Sequence, residues 1–258
     1  MQIKDIFRSY ETEKNDVLNK RDFSEVVCEP PGYILTIADL RPLCLSRRSS
    51  VRSRYLTDNT INSYLSIVLN TERVNFSPHD YVFNANFTNY FENLDENNVN
   101  EFSLEFLTQN GIGKSNFLGS KRYYFPVHVS PRHDHWVLIC LNRETKCITQ
   151  FDSLNNPFYT DIYVNFLKFL NVKIPGPQFE ATKYTFDVSR SAAQMDSTSC
   201  GIYTILNLLT ELNIIDFSID SNDFFIDTVK MIMVHELLAF KNDPECFIMD
   251  ILGQIDSQ

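Results

Sequence analysis

Cys200 stands in Gln194-Met195-Asp196-Ser197-Thr198-Ser199-Cys200-Gly201, directly before the apolar run Ile202-Tyr203-Thr204-Ile205-Leu206. The change from polar to apolar predicts a helix over 200–212 with the cysteine in its first turn. Unpaired backbone N–H groups and the positive end of the helix dipole favour thiolate over thiol there. Gly201 leaves room for a substrate carbonyl, and the Cys200 N–H points to where an oxyanion would form. Gln194, on the preceding loop, could supply a second donor. A thiol also needs a base, and the base an orienter. His135 opens one predicted strand and Asp152 closes the next, and in an antiparallel hairpin those ends are neighbours. Cys200, His135, Asp152 and Gln194 therefore fit the four roles of a cysteine hydrolase.

Each of these residues also has a structural reading. A cysteine in an apolar helix is usually a small core residue, and Cys140 and Cys147, within predicted strands, are read that way. Cys28, Cys44 and Cys246 have no arguable partner. A histidine at a strand end is more often structural, Asp152-Ser153 can simply start a turn, and Gln194 alone is a loop glutamine. His133-Asp134-His135 places two imidazoles on one strand face, but no further ligand stands at zinc spacing, so no metal is expected.

The elements that must position these residues follow from pattern. Tyr123–Val129, His135–Asn142 and Lys146–Asp152 are β-rich runs, the last two joined by the short polar Asn142-Arg143-Glu144-Thr145. Val137–Leu141 is apolar without alternation, as in a strand covered on both faces. Thr57 caps a helix over 58–70 whose Ile61, Tyr64, Leu65 and Val68 share one face. Asp161–Leu170 and Asp227–Phe240 are further helices, and Lys183–Val188 a further strand. Tyr33–Ile37 reads as a short strand, Asp39-Leu40 as the start of a turn, Ser46–Arg54 as a loop, and Asn84–Asn100 as a short helix mixed with loops. Pro30-Pro31-Gly32 marks a boundary, giving an N-terminal extension over 1–32 and a main domain over 33–258. Helices around a small central mixed sheet make the class α+β.

Composition bounds the rest. The chain has 258 residues, 43% hydrophobic and 22% charged, as a folded globular protein does. No apolar run is long enough to span a bilayer, and the start lacks the layout of a signal peptide, so no membrane is expected. Six cysteines without a CxxC pair suit a reducing compartment. The net charge of −10 argues against a nucleic-acid partner. That mean hides one basic window: Arg41, Arg47, Arg48, Arg52 and Arg54 lie in a stretch with no acid.

His135-Trp136, Asp152-Ser153 and Gln194…Cys200-Gly201 resemble the ordered motifs of the ubiquitin-like-protein-specific cysteine proteases, the sentrin/SUMO-specific proteases of clan CE. The spacings of seventeen between His135 and Asp152 and six between Gln194 and Cys200 are similar to the family's. Tyr55-Leu56-Thr57-Asp58-Asn59-Thr60-Ile61-Asn62 resembles its Trp-Leu-Asn-Asp helix start, and Leu35-Thr36-Ile37-Ala38-Asp39-Leu40 its opening strand and turn. The last helix, Val229–Phe240, stands where the family has its closing helix, so the resemblance spans residues 33–240.

The resemblance implies a papain-like, adenain-like fold and hydrolysis of peptide or isopeptide bonds after a modifier's Gly-Gly tail, through an acyl-thioester. Cys200 is then the nucleophile, His135 the base and later the acid, Asp152 its orienter, and Gln194 with the Cys200 N–H the oxyanion hole. Trp136 covers the tunnel that admits the tail. Tyr55 replaces the family's first tunnel tryptophan, Asp58 matches a modifier-contacting position or is a first-turn acid, and Ser46–Arg54 is an insertion.

By the same analogy Arg47, Arg48, Arg52 and Arg54 lie beside the modifier, where basic residues would steer an acidic SUMO; a solvated loop is the alternative. The expected partner is SUMO or another ubiquitin-like modifier bound by a monomer, with ubiquitin and the neddylation modifier as rival substrates. Clan CE acetyltransferase effectors and an inactive binding module are readings of other classes. Such substrates imply the cytoplasm or nucleus of a eukaryotic cell, reached either natively or as a delivered effector.

Overall fold

The computed structural model of the protein describes residues 3–46, 49–50, 54–71, 74, 77–90, 111–113, 117–129, 134–156, 160–173, 181–189, 191–216 and 223–240. The unalternating apolar strand of the sequence sits mid-sheet. This is β6, His135–Asn142, in a six-stranded sheet of order β4-β3-β5-β6-β7-β8. The other strands are β3 (Asp80–Phe83), β4 (Gly111–Ile112), β5 (Arg122–Val129), β7 (Cys147–Phe151) and β8 (Thr185–Ser189). The pairs β4–β3, β5–β6 and β6–β7 are antiparallel, while β3–β5 and β7–β8 are parallel, so the sheet is mixed.

Because side chains alternate along a strand, β6 feeds two cores. Trp136, Leu138 and Cys140 join α3 (Asp58–Asn70), α5 (Cys200–Glu211) and α6 (Asp223–Phe240) in one apolar cluster. Val137, Ile139 and Leu141 join α4 (Thr160–Lys173) and an aromatic group around Phe83 and Phe125 in the other. An all-apolar strand is what two covered faces require. At the far end of the sheet Asp80 is buried and accepts both Nε and Nη2 of Arg122, at 2.6 and 2.7 Å. That bidentate pair sits on the β3–β5 register, where Asp80 faces Arg122.

The N-terminal region holds more structure than its polarity suggests. α1 spans Ile3–Asn19, and β1 (Val26–Cys28) pairs antiparallel with β2 (Leu35–Thr36) across Pro30-Pro31-Gly32. Val17, Val27 and Cys28 belong to the same core as α3 and α5. The expected turn at Asp39-Leu40 is instead inside α2, Ile37–Cys44. Its N-cap Thr36 forms a capping box with Asp39, which starts a helix where a strand-then-turn reading ended. Strands β3 and β4 were not foreseen; both are too short for a period to show. Of Asn84–Asn100, residues Ala85–Tyr90 form a 3₁₀ helix, and the remainder after Tyr90 lies outside the described residues.

Arg41, counted in the basic window, is occupied. Its Nη1 donates to the carbonyls of Val17 and Leu18 at 3.5 and 3.0 Å, and its guanidinium lies over the Phe23 ring at 4.6 Å. It closes the C-terminal end of α1, where a cation complements the helix dipole.

α1 is also held from α6, where His235 Nδ1 meets Glu13 Oε1 at 3.0 Å. Glu13 raises the His235 pKa above 6.5 by hydrogen bond and charge, burial opposes this, and Glu236 adds to it. A raised folded-state pKa means the pair's stabilisation is complete below the unfolded value and is lost as pH rises through the folded value. The stability difference between the wild type and His235→Gln should therefore be largest below pH 6.5 and shrink at higher pH. Urea denaturation across a pH series measures it, and a pH-independent difference would refute the linkage.

Candidate active site

His135 and Asp152 come together through strand register. His135 opens β6 and Asp152 directly follows the last residue of β7, and the antiparallel pairing of these strands brings the two to the same end of the sheet. His135 Nε2 and Asp152 Oδ1 are 2.7 Å apart, and both side chains are buried. Asp152 also accepts the N–H groups of Leu154 at 2.8 Å and Asn156 at 3.3 Å. Burial pushes its carboxyl up, but these hydrogen bonds and the His135 charge hold it below its usual value.

Nε2 being engaged, Nδ1 is the ring atom left for Cys200. Burial disfavours charge on His135, yet the hydrogen bonds and negative charges of Asp152 and Cys200 outweigh it and raise the ring pKa to about 9. The imidazolium that would accompany a Cys200 thiolate is thus supported from both sides. Asp134, directly before His135, has φ +43, a left-handed backbone uncommon for a residue with a side chain. Its Oδ1 lies 3.7 Å from His128 Nε2. His133 lies outside the described residues, and among the described residues no His, Cys, Asp and Glu group could hold a metal ion.

Cys200 is the first residue of α5 and is buried. Being in the first turn, its N–H lies outside the helical ladder. The loop before it is built on Asp196, a residue the sequence reading passed over. Asp196 Oδ1 accepts the N–H groups of Thr198 and Ser199 at 3.1 and 2.9 Å, and Oδ2 their hydroxyls at 3.2 and 2.8 Å. An aspartate followed by Ser-Thr-Ser is a turn signal that could have revealed it. Gln194 is held at three atoms: its N–H donates to the Ser153 carbonyl at 2.9 Å, its Oε1 accepts from Ser153 Oγ at 2.6 Å, and its Nε2 donates to the Asp196 carbonyl at 2.7 Å. The second hydrogen on Nε2 remains for a ligand.

The upstream motif reaches the same place through Leu56. Trp136 is buried, its ring against His128 at 4.7 Å, and its Nε1 donates to the Leu56 carbonyl at 3.0 Å. The Leu56 side chain covers Gly201: a Cβ there would lie 3.0 Å from Leu56 Cβ. The expectation that Gly201 leaves room for a substrate is therefore corrected, since the chain's own Leu56 takes that space.

Tyr55 is half-buried beside the site. Burial raises its hydroxyl pKa, with Cys200, Asp134 and Asp196 adding and Arg54 opposing. Asp58 begins α3, half-buried, with Oδ1 on the Asn59 N–H at 2.9 Å. Arg54 is half-buried next to Tyr55, and Arg47, Arg48 and Arg52 lie outside the described residues.

A buried thiol at a helix start, with a hydrogen-bonded histidine–aspartate pair beside it, is the arrangement that thiol-based hydrolysis needs, here on an α+β fold. The model of the Ulp1 protease family, C-terminal catalytic domain, matches residues 54–247. The chain belongs to that family and is a cysteine protease of the Ulp1 type. Among solved structures it resembles the C-terminal Ulp1 protease domain in complex with Smt3, the yeast orthologue of SUMO. The TM-score is 0.67 at 18% identity, over 90% of this chain and 94% of that one. It also resembles the Chaetomium thermophilum Ulp1-like SUMO protease catalytic domain, with a TM-score of 0.62 at 16% identity over 95% and 93%. At such identities the likeness concerns the fold. No curated protein sequence matches the chain at a significant level.

Two measurements test the assigned geometry. Gln194→Ala should lower kcat by about 10²–10³, the loss typical of one oxyanion donor, and should also lower thermal stability, because Ser153 Oγ loses its buried acceptor. By NMR the His135 ring should titrate near 9 in the wild type and closer to 6.5 in Asp152→Asn; equal values in both would remove Asp152 from that role.

Proposed function

We propose that the protein hydrolyses peptide and isopeptide bonds that follow the C-terminal Gly-Gly of a SUMO-like modifier. The observation that carries this reading is the contact of Leu56 with both Trp136 and Gly201. It lays the Tyr55–Thr57 segment across the first turn of the nucleophile helix, beside a buried tryptophan. A tail that reaches Cys200 past such bulk must lack side chains near the scissile bond, and glycine meets that need.

In this reading His135 Nδ1 takes the Cys200 proton as the thiolate adds to the Gly carbonyl. The oxyanion is held by the Cys200 N–H and Gln194 Nε2. His135 then protonates the departing amine, leaving a thioester, and water activated by His135 releases the tail carboxylate and the thiol. Asp152 keeps the ring aligned throughout. No step calls for a cofactor. Trp136 and Tyr55 line the path of the tail, and Asp58 faces the modifier from the start of α3.

The catalytic unit is residues 33–258, with residues 1–32 as an extension packed on it. It acts as a monomer in the cytoplasm or nucleus of a eukaryotic cell, where such conjugates occur. Among the described residues no helix is long and apolar enough to cross a membrane. The basic window supports SUMO as the modifier, now through Arg47, Arg48, Arg52 and Arg54 alone, since Arg41 serves α1. A second reading keeps the chemistry and changes the modifier. Asp134 and Asp196 both act electrostatically on Tyr55, and an acidic surround favours the basic tail of ubiquitin or the neddylation modifier.

Probes of SUMO, ubiquitin and the neddylation modifier with thiol-reactive C-termini separate these readings. The expected result is a covalent adduct with the SUMO probe, absent in Cys200→Ala. An adduct with only one of the others transfers the assignment to that modifier, and no adduct with any probe overturns the Gly-Gly reading.

A further inference from the structure

Asp39 lies well before the site in sequence and touches none of its reacting groups. Its carboxylate nevertheless collects four hydrogen bonds from two elements. Oδ2 accepts the Thr36 N–H at 3.1 Å, the Thr36 hydroxyl at 2.8 Å and Asn59 Nδ2 at 2.8 Å. Oδ1 accepts the Thr57 hydroxyl at 3.0 Å. The Asp39 carbonyl takes a fifth bond, from the Thr60 hydroxyl at 2.7 Å. The α2 capping box explains the bonds to Thr36. It does not explain those to Thr57, Asn59 and Thr60, which all belong to the first turn of α3 and its cap.

Thr57 is the residue after Leu56, so Asp39 grips the chain one peptide from the Leu56 carbonyl that receives the Trp136 indole. Leu56 in turn rests on Gly201, beside Cys200. We infer that Asp39 is a positioning residue for the protease reaction: it fixes the height of the Tyr55–Thr57 segment over the nucleophile helix, and so the width of the path the substrate tail takes. A charged acceptor suits this task. Hydrogen bonds to a carboxylate are shorter and stronger than neutral ones, and a half-buried carboxylate can serve several donors at once. Thr57 is at the same time the cap of α3, its hydroxyl shared with the Thr60 N–H and hydroxyl, so the carboxylate acts on the residue that also starts the helix.

The inference rests on the Gly-Gly reading only where substrate kinetics are measured. Trp136 is the sole tryptophan, so its indole N–H gives a single resolved NMR signal. In Asp39→Ala, hydrogen exchange of that indole should be about tenfold faster or more, as expected when a hydrogen bond to a charged group is lost upstream of it. The KM for a Gly-Gly substrate should rise by a similar factor, while kcat and the rate of Cys200 alkylation by iodoacetamide, which needs no tail path, stay within about threefold. Thr57→Val should reproduce the indole effect and Thr57→Ser should not.

Asp80→Asn serves as the control for general loss of stability, since Asp80 lies at the opposite end of the sheet. The inference is overturned if Asp39→Ala leaves indole exchange at the wild-type rate. It is equally overturned if Asp80→Asn, compared at matched thermal stability, accelerates it as much. Should no Gly-Gly substrate be cleaved by the wild type, the proposed function fails, and the indole and alkylation measurements still decide the role of Asp39.

Discussion

The register of β6 against β7 is the constraint on which the catalytic centre depends. His135 and Asp152 meet at one end of the sheet because β6 and β7 run antiparallel with Leu138 opposite Phe151. A slip of one residue would send Asp152 to the opposite face and also invert every apolar contact of both strands. Both faces of β6 are covered, by α3, α5 and α6 on one side and by α4 and the aromatic group on the other. The hydrophobic energy that fixes the register is therefore the same energy that aligns the histidine. A site placed at the end of such a strand inherits the rigidity of the core without being buried at its centre.

Cys200 reaches this pair from a different part of the fold, and Leu56 is what joins the two. Its backbone serves Trp136 and its side chain serves Gly201, so one residue relates the strand that carries His135 to the helix that carries Cys200. Glycine at position 201 follows from this packing, because any Cβ would press on Leu56. Asp39, Thr36, Thr57 and Asn59 hold the segment from the other side. The fold thus spends its polar side chains on joints between elements: Asp196 in the loop before Cys200, Ser153 against Gln194, and Asp80 against Arg122.

Charge behaves in the same local manner. A mean of −10 describes no particular surface. Arg41 is engaged at the end of α1, whereas Asp134 and Asp196 both act on Tyr55. What a modifier meets depends on which charges remain uncommitted after the joints are made.

Much of the site was legible in the sequence. Cys200 before an apolar helix, His135 opening a strand, Asp152 closing its neighbour and Thr57 capping α3 are local patterns, and each is set by interactions within a few residues along the chain. The doubly covered strand was readable for the same reason. α1 and the short strands β3 and β4 were not, because their stability comes from distant partners: Arg41 and His235 for α1, and β5 for β3; the helix beginning at Ile37 did leave a local trace, the capping box of Thr36 and Asp39, but it is short and carries Pro42 inside it. The roles of Leu56, Asp39 and Gly201 belong wholly to the tertiary structure. A carbonyl that accepts an indole eighty residues away and a carboxylate that gathers the starts of two helices leave no periodic trace. Sequence by itself determined which atoms could react, since residue type and local element decide that. Only the folded chain decided how those atoms are spaced and how wide the path to them is, since long-range packing and hydrogen bonds set both.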